Sequence, residues 1–290
     1  MNRRTLLHQA LLFAGASALS PTIGETFAKD KLQRKRNFRI GACDWSINGG
    51  ASIGAFDMAK QIGLDGIQVS LNSLKDEVHL RDAAMQQQYK EAAKRTGVAI
   101  GGLAIGTLND IPYKSEARTE AWVQDSVDVA KALGVKTILL AFFSKNDLKN
   151  DPKGTQIVIE RLKAVAPKAE KAGVVLGIES WLSAPEHMAI IDAVGSPAVQ
   201  VYYDVCNSSV MGYDIYQEMR DLGTKQICEV HIKENGYLIG QGKVDMKRVR
   251  QTLDEIGYRG WLQLEGAVPQ GKAMIDSYLE NIKAARGLFG

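Results

Sequence analysis

The stretch Gly173-Val174-Val175-Leu176-Gly177-Ile178-Glu179 decides the fold: it reads as a helix-ending glycine, a short apolar strand and an acidic side chain at the strand's end. Three later stretches repeat the last two parts. Val199–Tyr203 runs into Asp204, Ile227–Val230 into His231, and Trp261–Leu264 into Glu265. The four polar residues are separated by 25, 27 and 34 positions, the length that one strand and one helix occupy together. In a closed parallel barrel every strand ends at one mouth, so four such side chains converge there.

Working outward, the same alternation fills the chain. Phe38–Cys43, Leu64–Leu71, Val98–Ile105 and Val135–Phe143 read as the first four strands. Between and after them, helical patterns cover Phe56–Ile62, Leu80–Arg95, Glu116–Leu133, Thr155–Ala172, Pro185–Ala193, Tyr213–Leu222, Val244–Ile256 and Lys272–Arg286. Gly63, Gly97, Gly134, Gly173, Gly223 and Gly257 punctuate the helix ends. Eight strands and eight helices in roughly 250 residues predict an α/β fold, a single-domain (β/α)8 TIM barrel over 38–290. A doubly wound open sheet would want a Gly-rich turn after the first strand, where Ala42-Cys43-Asp44-Trp45 stands instead.

The segment before the barrel has another character. Arg3 and Arg4 precede an apolar stretch, Ala10–Leu19, and then small residues as far as Ala28. Residues 1–28 are therefore expected to be a twin-arginine-type signal, with cleavage after Ala28 or Ala18 both fitting, and 29–37 a basic linker. This predicts a periplasmic or otherwise exported protein without a stable membrane anchor. Three cysteines, Cys43, Cys206 and Cys228, are too few for a disulfide framework, and Cys43 and Cys206 read as buried thiols. A net charge of +3 is too small to argue for nucleic acid. A homo-oligomer is allowed, although no long apolar stripe marks its interface.

Glu179, Asp204, His231 and Glu265 offer three carboxylates and one imidazole. That hard donor set suits one divalent ion, Mn2+, Mg2+ or Co2+, better than structural zinc. Asp204-x-x-Asn207, His231-Ile232-Lys233, the run Gly240-Gln241-Gly242-Lys243-Val244-Asp245 and Gly257-Tyr258-Arg259-Gly260-Trp261 before Glu265 complete the pattern. From Phe38 onward it resembles the xylose-isomerase-like barrel superfamily, which holds sugar phosphate isomerases and epimerases, ketose 3-epimerases, inosose dehydratases, hydroxypyruvate isomerases and AP endonucleases. The resemblance implies that the four residues bind one metal, and that Glu179 and Glu265 face each other across a sugar as acid and base.

Physically, an ion chelated by adjacent oxygens of an α-hydroxy ketone stabilises the enediolate, and a carboxylate on either face moves the proton. The expected function is a metal-dependent sugar isomerase or epimerase. The alternative is a lyase or hydratase on a 3-keto-glycoside or inosose, and behind it a non-catalytic sugar-binding barrel. Asn207 and Lys233 are candidate substrate contacts, and Trp45 and Trp181 candidate stacking surfaces for a sugar or polyol. Trp122 and Trp261 read as packing residues. The ketose 3-epimerases carry a histidine where Asn207 stands, an arginine where Tyr237 stands and an acid where Pro185 stands, with Glu186 one position out of register. Gly240-Gln241-Gly242-Lys243 reads as a turn, and the substrate as unphosphorylated. With His79, His187 and His231 alone after the signal, the histidine-rich multi-zinc cluster of the endonuclease branch is not available.

Overall fold

In a computed structural model, residues 38–73 and 77–290 are described. The expected signal and linker, 1–37, lie outside them. Eight parallel strands close into a barrel in sequence order: β1 (Arg39–Cys43), β2 (Gly66–Ser70), β3 (Ala99–Ile105), β4 (Thr137–Phe142), β5 (Val175–Ser180), β6 (Val199–Asp204), β7 (Ile227–Glu234) and β8 (Trp261–Gly266). β8 pairs with β1 through Trp261 opposite Arg39 and Leu264 opposite Ala42. The helices among the described residues are α1 (Gly54–Ile62), α2 (Ala83–Thr96), α3 (Arg118–Leu133), α4 (Pro152–Ala172), α5 (Ala184–Val194), α6 (Val205–Val210), α7 (Ile215–Gln226), α8 (Met246–Glu255) and α9 (Met274–Phe289). None of them is long and apolar enough to cross a membrane.

Two differences from the sequence expectation matter for the site. α6 is an extra helix directly after β6, built because Asp204 Oδ1 accepts hydrogen bonds from the backbone N–H groups of Cys206 and Asn207, both at 2.8 Å. β7 runs on to Glu234, so His231 sits inside a strand rather than at its end. Strands in a barrel are staggered, and a residue in mid-strand on one can stand level with a strand end on its neighbour. Asp204, the last residue of β6, is indeed opposite His231.

Helix endings follow the glycines. Gly63, Gly97, Gly134 and Gly173 take the left-handed conformation as C-caps. Gly195 does the same for α5, beyond the six glycines expected to end helices. At Gly223 a φ of 59° and ψ of −177° breaks α7 one residue beyond the expected end.

The apolar core lies mainly between the barrel and its helices, where Trp122, Tyr278, Phe289 and the outward residues of the strands are buried together. Inside the barrel a smaller group, Ala104, Leu139, Ala141 and Tyr202, makes a separate cluster. Much of the remaining interior is polar: Gln68, Glu229, His231 and Gln263 are almost fully buried. Glycines make room for these long side chains. A Cβ on Gly41 or Gly101 would collide with the Gln263 amide.

Candidate active site

The four residues of the repeat meet at the C-terminal end of the barrel. His231 Nδ1 lies 3.0 Å from Glu179 Oε1, 3.5 Å from Glu265 Oε2 and 3.7 Å from Asp204 Oδ2. One donor atom from each residue falls within 4.8 Å of all the others. Glu179, Asp204 and His231 are buried and Glu265 is partly exposed, as a site open on one side requires. Strand register accounts for the convergence. β6 sets Asp204 beside His231 and β8 sets Glu265 beside Lys233, two positions further along β7 and on the same inner face.

These residues fit a divalent cation. Asp204 gives one oxygen to the start of α6, while Oδ2 is buried with no hydrogen-bond partner. Lys233 Nζ and His231 Nδ1 stand 3.7 Å from it, too far to hydrogen-bond, and a buried carboxylate oxygen left so is costly unless an ion completes it. Three carboxylates and one imidazole nitrogen make a hard donor set of the kind that holds Mg2+, Mn2+ or Co2+.

The two glutamates sit in unlike surroundings. Burial pushes Glu179 up, the nearby carboxylates of Glu265 and Asp204 add to the rise, and His231 only partly offsets them. Burial also works against charge on Glu265, but His231, Lys233 and the Trp45 indole outweigh it and hold the carboxyl well below its usual range. Lys233 Nζ donates to Glu265 Oε2 at 2.9 Å and stands 3.7 Å from Asp204 Oδ2. Burial alone would lower the pKa of Lys233; Asp204 and Glu265 raise it instead, so the ammonium stays charged. Trp45 Nε1 donates to Glu265 Oε1 at 3.0 Å. Asn207 Nδ2, on α6, reaches Glu179 Oε1 at 3.5 Å.

A cavity of about 590 Å3 opens above this cluster and is lined by Glu179, Glu265, Asn207, Lys233, Trp45 and Trp181 among others. Every candidate contact read from the sequence is therefore at one place. Phe143 joins Trp181 in an edge-to-face pair, centroids 5.0 Å apart, and extends the aromatic wall. Trp122 is buried on α3. Trp261 packs where β8 begins, with the Arg39 guanidinium over its ring. Neither lines the cavity.

Several neighbouring residues have structural tasks. Glu186 caps α5 through Ser183 N at 2.7 Å and pairs with Lys149 at 2.7 Å. Lys149 in turn donates to Tyr213, whose hydroxyl donates to the Trp181 carbonyl. Glu186 thus steadies the turn that carries Trp181 rather than entering the cavity. Tyr237 is half exposed and lines a separate cavity. Cys43 lies beneath the cluster with Sγ 3.3 Å from His231 Nε2, and burial pushes its thiol up to about 12, so it is inert. Burial raises Cys206 as well.

Sequence reasoning passed over Asp44. Its carboxylate accepts from Ser70 N at 2.8 Å, Ser70 Oγ at 2.7 Å and Ala51 N at 3.1 Å, which fixes the turn presenting Trp45. It also passed over Gln68, Tyr202, Glu229 and Gln263 inside the barrel. Period-two spacing could have found some of them: Glu229 precedes His231 by two residues, Tyr202 precedes Asp204, and Gln263 precedes Glu265.

Known proteins resemble this chain. The putative L-ribulose-5-phosphate 3-epimerase SgbU of Escherichia coli K12 is 26% identical over 259 residues, 79% of this chain and 87% of that protein. The 2-epi-5-epi-valiolone 7-phosphate 2-epimerase of an Actinoplanes species is 26% identical, over 74% of this chain and 82% of its own. Among solved structures, the 3-keto-D-glucoside 4-epimerase YcjR of E. coli superposes with a TM-score of 0.72 at 17% identity, covering 86% of this chain and 99% of that one. The D-psicose 3-epimerase of Clostridium cellulolyticum gives 0.73 at 16%, over 87% and 99%. At those identities the structural likeness speaks for the fold. The xylose isomerase-like TIM barrel family matches residues 56–286, and with the closed barrel and its converging strand ends in place, the chain belongs to that family.

Proposed function

We propose that the protein is a divalent-metal-dependent sugar epimerase or isomerase that moves a proton on the carbon next to a carbonyl. The observation that carries this reading is the pair Glu179 and Glu265, aimed at one point from β5 and β8 and pushed in opposite directions by their surroundings. A divalent ion held by Glu179, Asp204, His231 and Glu265 would supply Lewis acidity toward the oxygens of an α-hydroxy carbonyl. Glu265, kept ionised by Lys233 and Trp45, accepts the proton. Glu179, raised by burial, returns one on the other side. Asn207 orients Glu179 and offers its amide to a hydroxyl, and Trp45, Trp181 and Phe143 exclude water and receive the apolar face of the ring.

The two relatives matched by sequence are named for phosphorylated sugars and the two structural neighbours for unphosphorylated ones; this chain's substrate is read as unphosphorylated. The buried Glu234 carboxylate lies against Gly242 of the loop Gly240–Val244, so the space an outside anion would need there is filled from within. Residues 1–28 are read as a twin-arginine-type export signal, supported by Arg3 and Arg4 ahead of Ala10–Leu19.

Lys233 favours a second reading. Its ammonium lies in the cavity beside Glu265, where it would stabilise an oxygen leaving from the β-position of a 3-keto-glycoside or inosose after the same proton abstraction. One experiment separates the two: NMR of the Mn2+- or Mg2+-treated protein in D2O with free ketoses, inososes and 3-keto-glycosides. Loss of the C–H signal with a new epimer or isomer supports proton transfer alone, and release of an aglycone or water supports elimination. No exchange with any of them would count against both.

A further inference from the structure

Beneath the carboxylates, a line of buried side chains connects His231 to the middle of the barrel. His231 Nε2 lies 3.2 Å from Gln68 Oε1. Gln68 Nε2 donates to the Tyr202 hydroxyl at 3.1 Å, and that hydroxyl donates to Glu229 Oε1 at 3.2 Å. Gln263 Nε2 donates to the same oxygen at 2.7 Å. Each of these side chains is at most 1% exposed. The Tyr202 ring also packs edge-to-face on His231, centroids 4.5 Å apart.

The order of donors and acceptors gives this line a direction. Glu229 Oε1 receives two donors, so it is an acceptor whichever state the other oxygen is in. The Tyr202 proton must then point at Glu229, and its oxygen must accept from the Gln68 NH2 group. That turns Gln68 Oε1 toward His231, where it accepts from Nε2–H. Without an ion Nδ1–H faces the three carboxylates, which favour the charged imidazole; with Nε2–H held by Gln68, Nδ1 is the nitrogen that would lose its proton to take an ion.

We propose that Gln68, Tyr202 and Glu229 form a relay that positions His231 for metal: Glu229 sets the polarity, Tyr202 passes it on, and Gln68 holds Nε2–H. All three are positioning residues; the Tyr202 hydroxyl and Glu229 act on the centre through another side chain, while the Tyr202 ring touches His231 itself. The inference rests on the metal centre proposed above. Outer partners of this kind typically change metal affinity by about 10- to 100-fold when lost.

The test compares Mn2+ affinity, by titration calorimetry, and the His231 Nε2–H resonance, by 15N-resolved NMR, in the full-length wild-type protein and its variants. Tyr202→Phe removes a single oxygen and Gln68→Met removes the acceptor beside the ring. Each is expected to weaken Mn2+ binding by about 10- to 100-fold, and Tyr202→Phe to shift the Nε2–H signal. The double variant should bind no more weakly than Gln68→Met alone, because Tyr202 works through Gln68. Glu229→Gln retains an acceptor oxygen and should keep both readouts near wild type. An unchanged affinity and Nε2–H signal in Tyr202→Phe, or losses that multiply in the double variant, would overturn the relay. If the wild-type protein bound no Mn2+, the metal reading would fall; a shift of Nε2–H in metal-free Tyr202→Phe would still establish the relay, and its absence would remove it.

Discussion

At the level of single residues, neighbours set two chemically identical side chains apart. Glu265 is held ionised by His231, Lys233 and Trp45 against its burial, and Glu179 is raised by burial among carboxylates. Glu265→Gln should therefore lower turnover by about 10²- to 10⁴-fold, the usual worth of a positioned acid or base, as measured by deuterium exchange into substrate. Lys233→Met should raise the pKa of Glu265, since the ammonium that favours its carboxylate is gone. The base must be ionised to act, so the acidic limb of the pH–rate profile should move to higher pH; an unmoved limb would remove Glu265 from the role of base. If elimination is the reaction, the same variant should release far less aglycone while still exchanging the proton.

At the level of elements, Asp204 ends β6, starts α6 and turns its second oxygen toward His231 and Lys233. Asp204→Asn keeps a competent N-cap but sets a neutral amide toward the ion. It should leave the far-ultraviolet circular dichroism unchanged and weaken Mn2+ binding in calorimetry. His187 at the start of α5 makes a separate prediction. It is buried, with Nε2 2.9 Å from Ser180 Oγ, and burial lowers its pKa from 6.5 to about 4, against the backbone hydrogen bond at Ser183. An imidazole that charges more easily in the unfolded chain gives stability that is full above about pH 6.5 and is lost as pH falls toward 4. The loss is on the order of 3 kcal/mol. Urea unfolding across that range should show the slope, and His187→Gln should flatten it.

At the level of the whole molecule, the eight-strand alternation was legible because capping glycines and short apolar runs are local signals, and the convergence of Glu179, Asp204, His231 and Glu265 was legible because their spacing repeats the βα unit. α6 was not, since an acid that caps a helix and an acid that binds a metal look the same in a sequence. The polar residues of the barrel axis were missed because their partners come from other strands, which spacing along one strand does not reveal. An ion bound to the folded barrel alone should raise the melting temperature, with about 2.7 kcal/mol of stabilisation at a hundredfold excess over Kd; a scan with Mn2+ and then with chelator reads it directly. If the export reading holds, replacing Arg3 and Arg4 together by lysine should leave the precursor in the cytoplasm, as cell fractionation would show.

The division between an oily outer ring, packed between sheet and helices, and a hydrogen-bonded axis inside the sheet bears on how this barrel can change over time. Durability resides in the ring and chemistry along the axis, so a scan of substitutions should yield two nested maps: stability losses outside, activity losses at near-normal stability within. A lineage built this way can rewrite what the barrel does while inheriting, almost untouched, what keeps it folded.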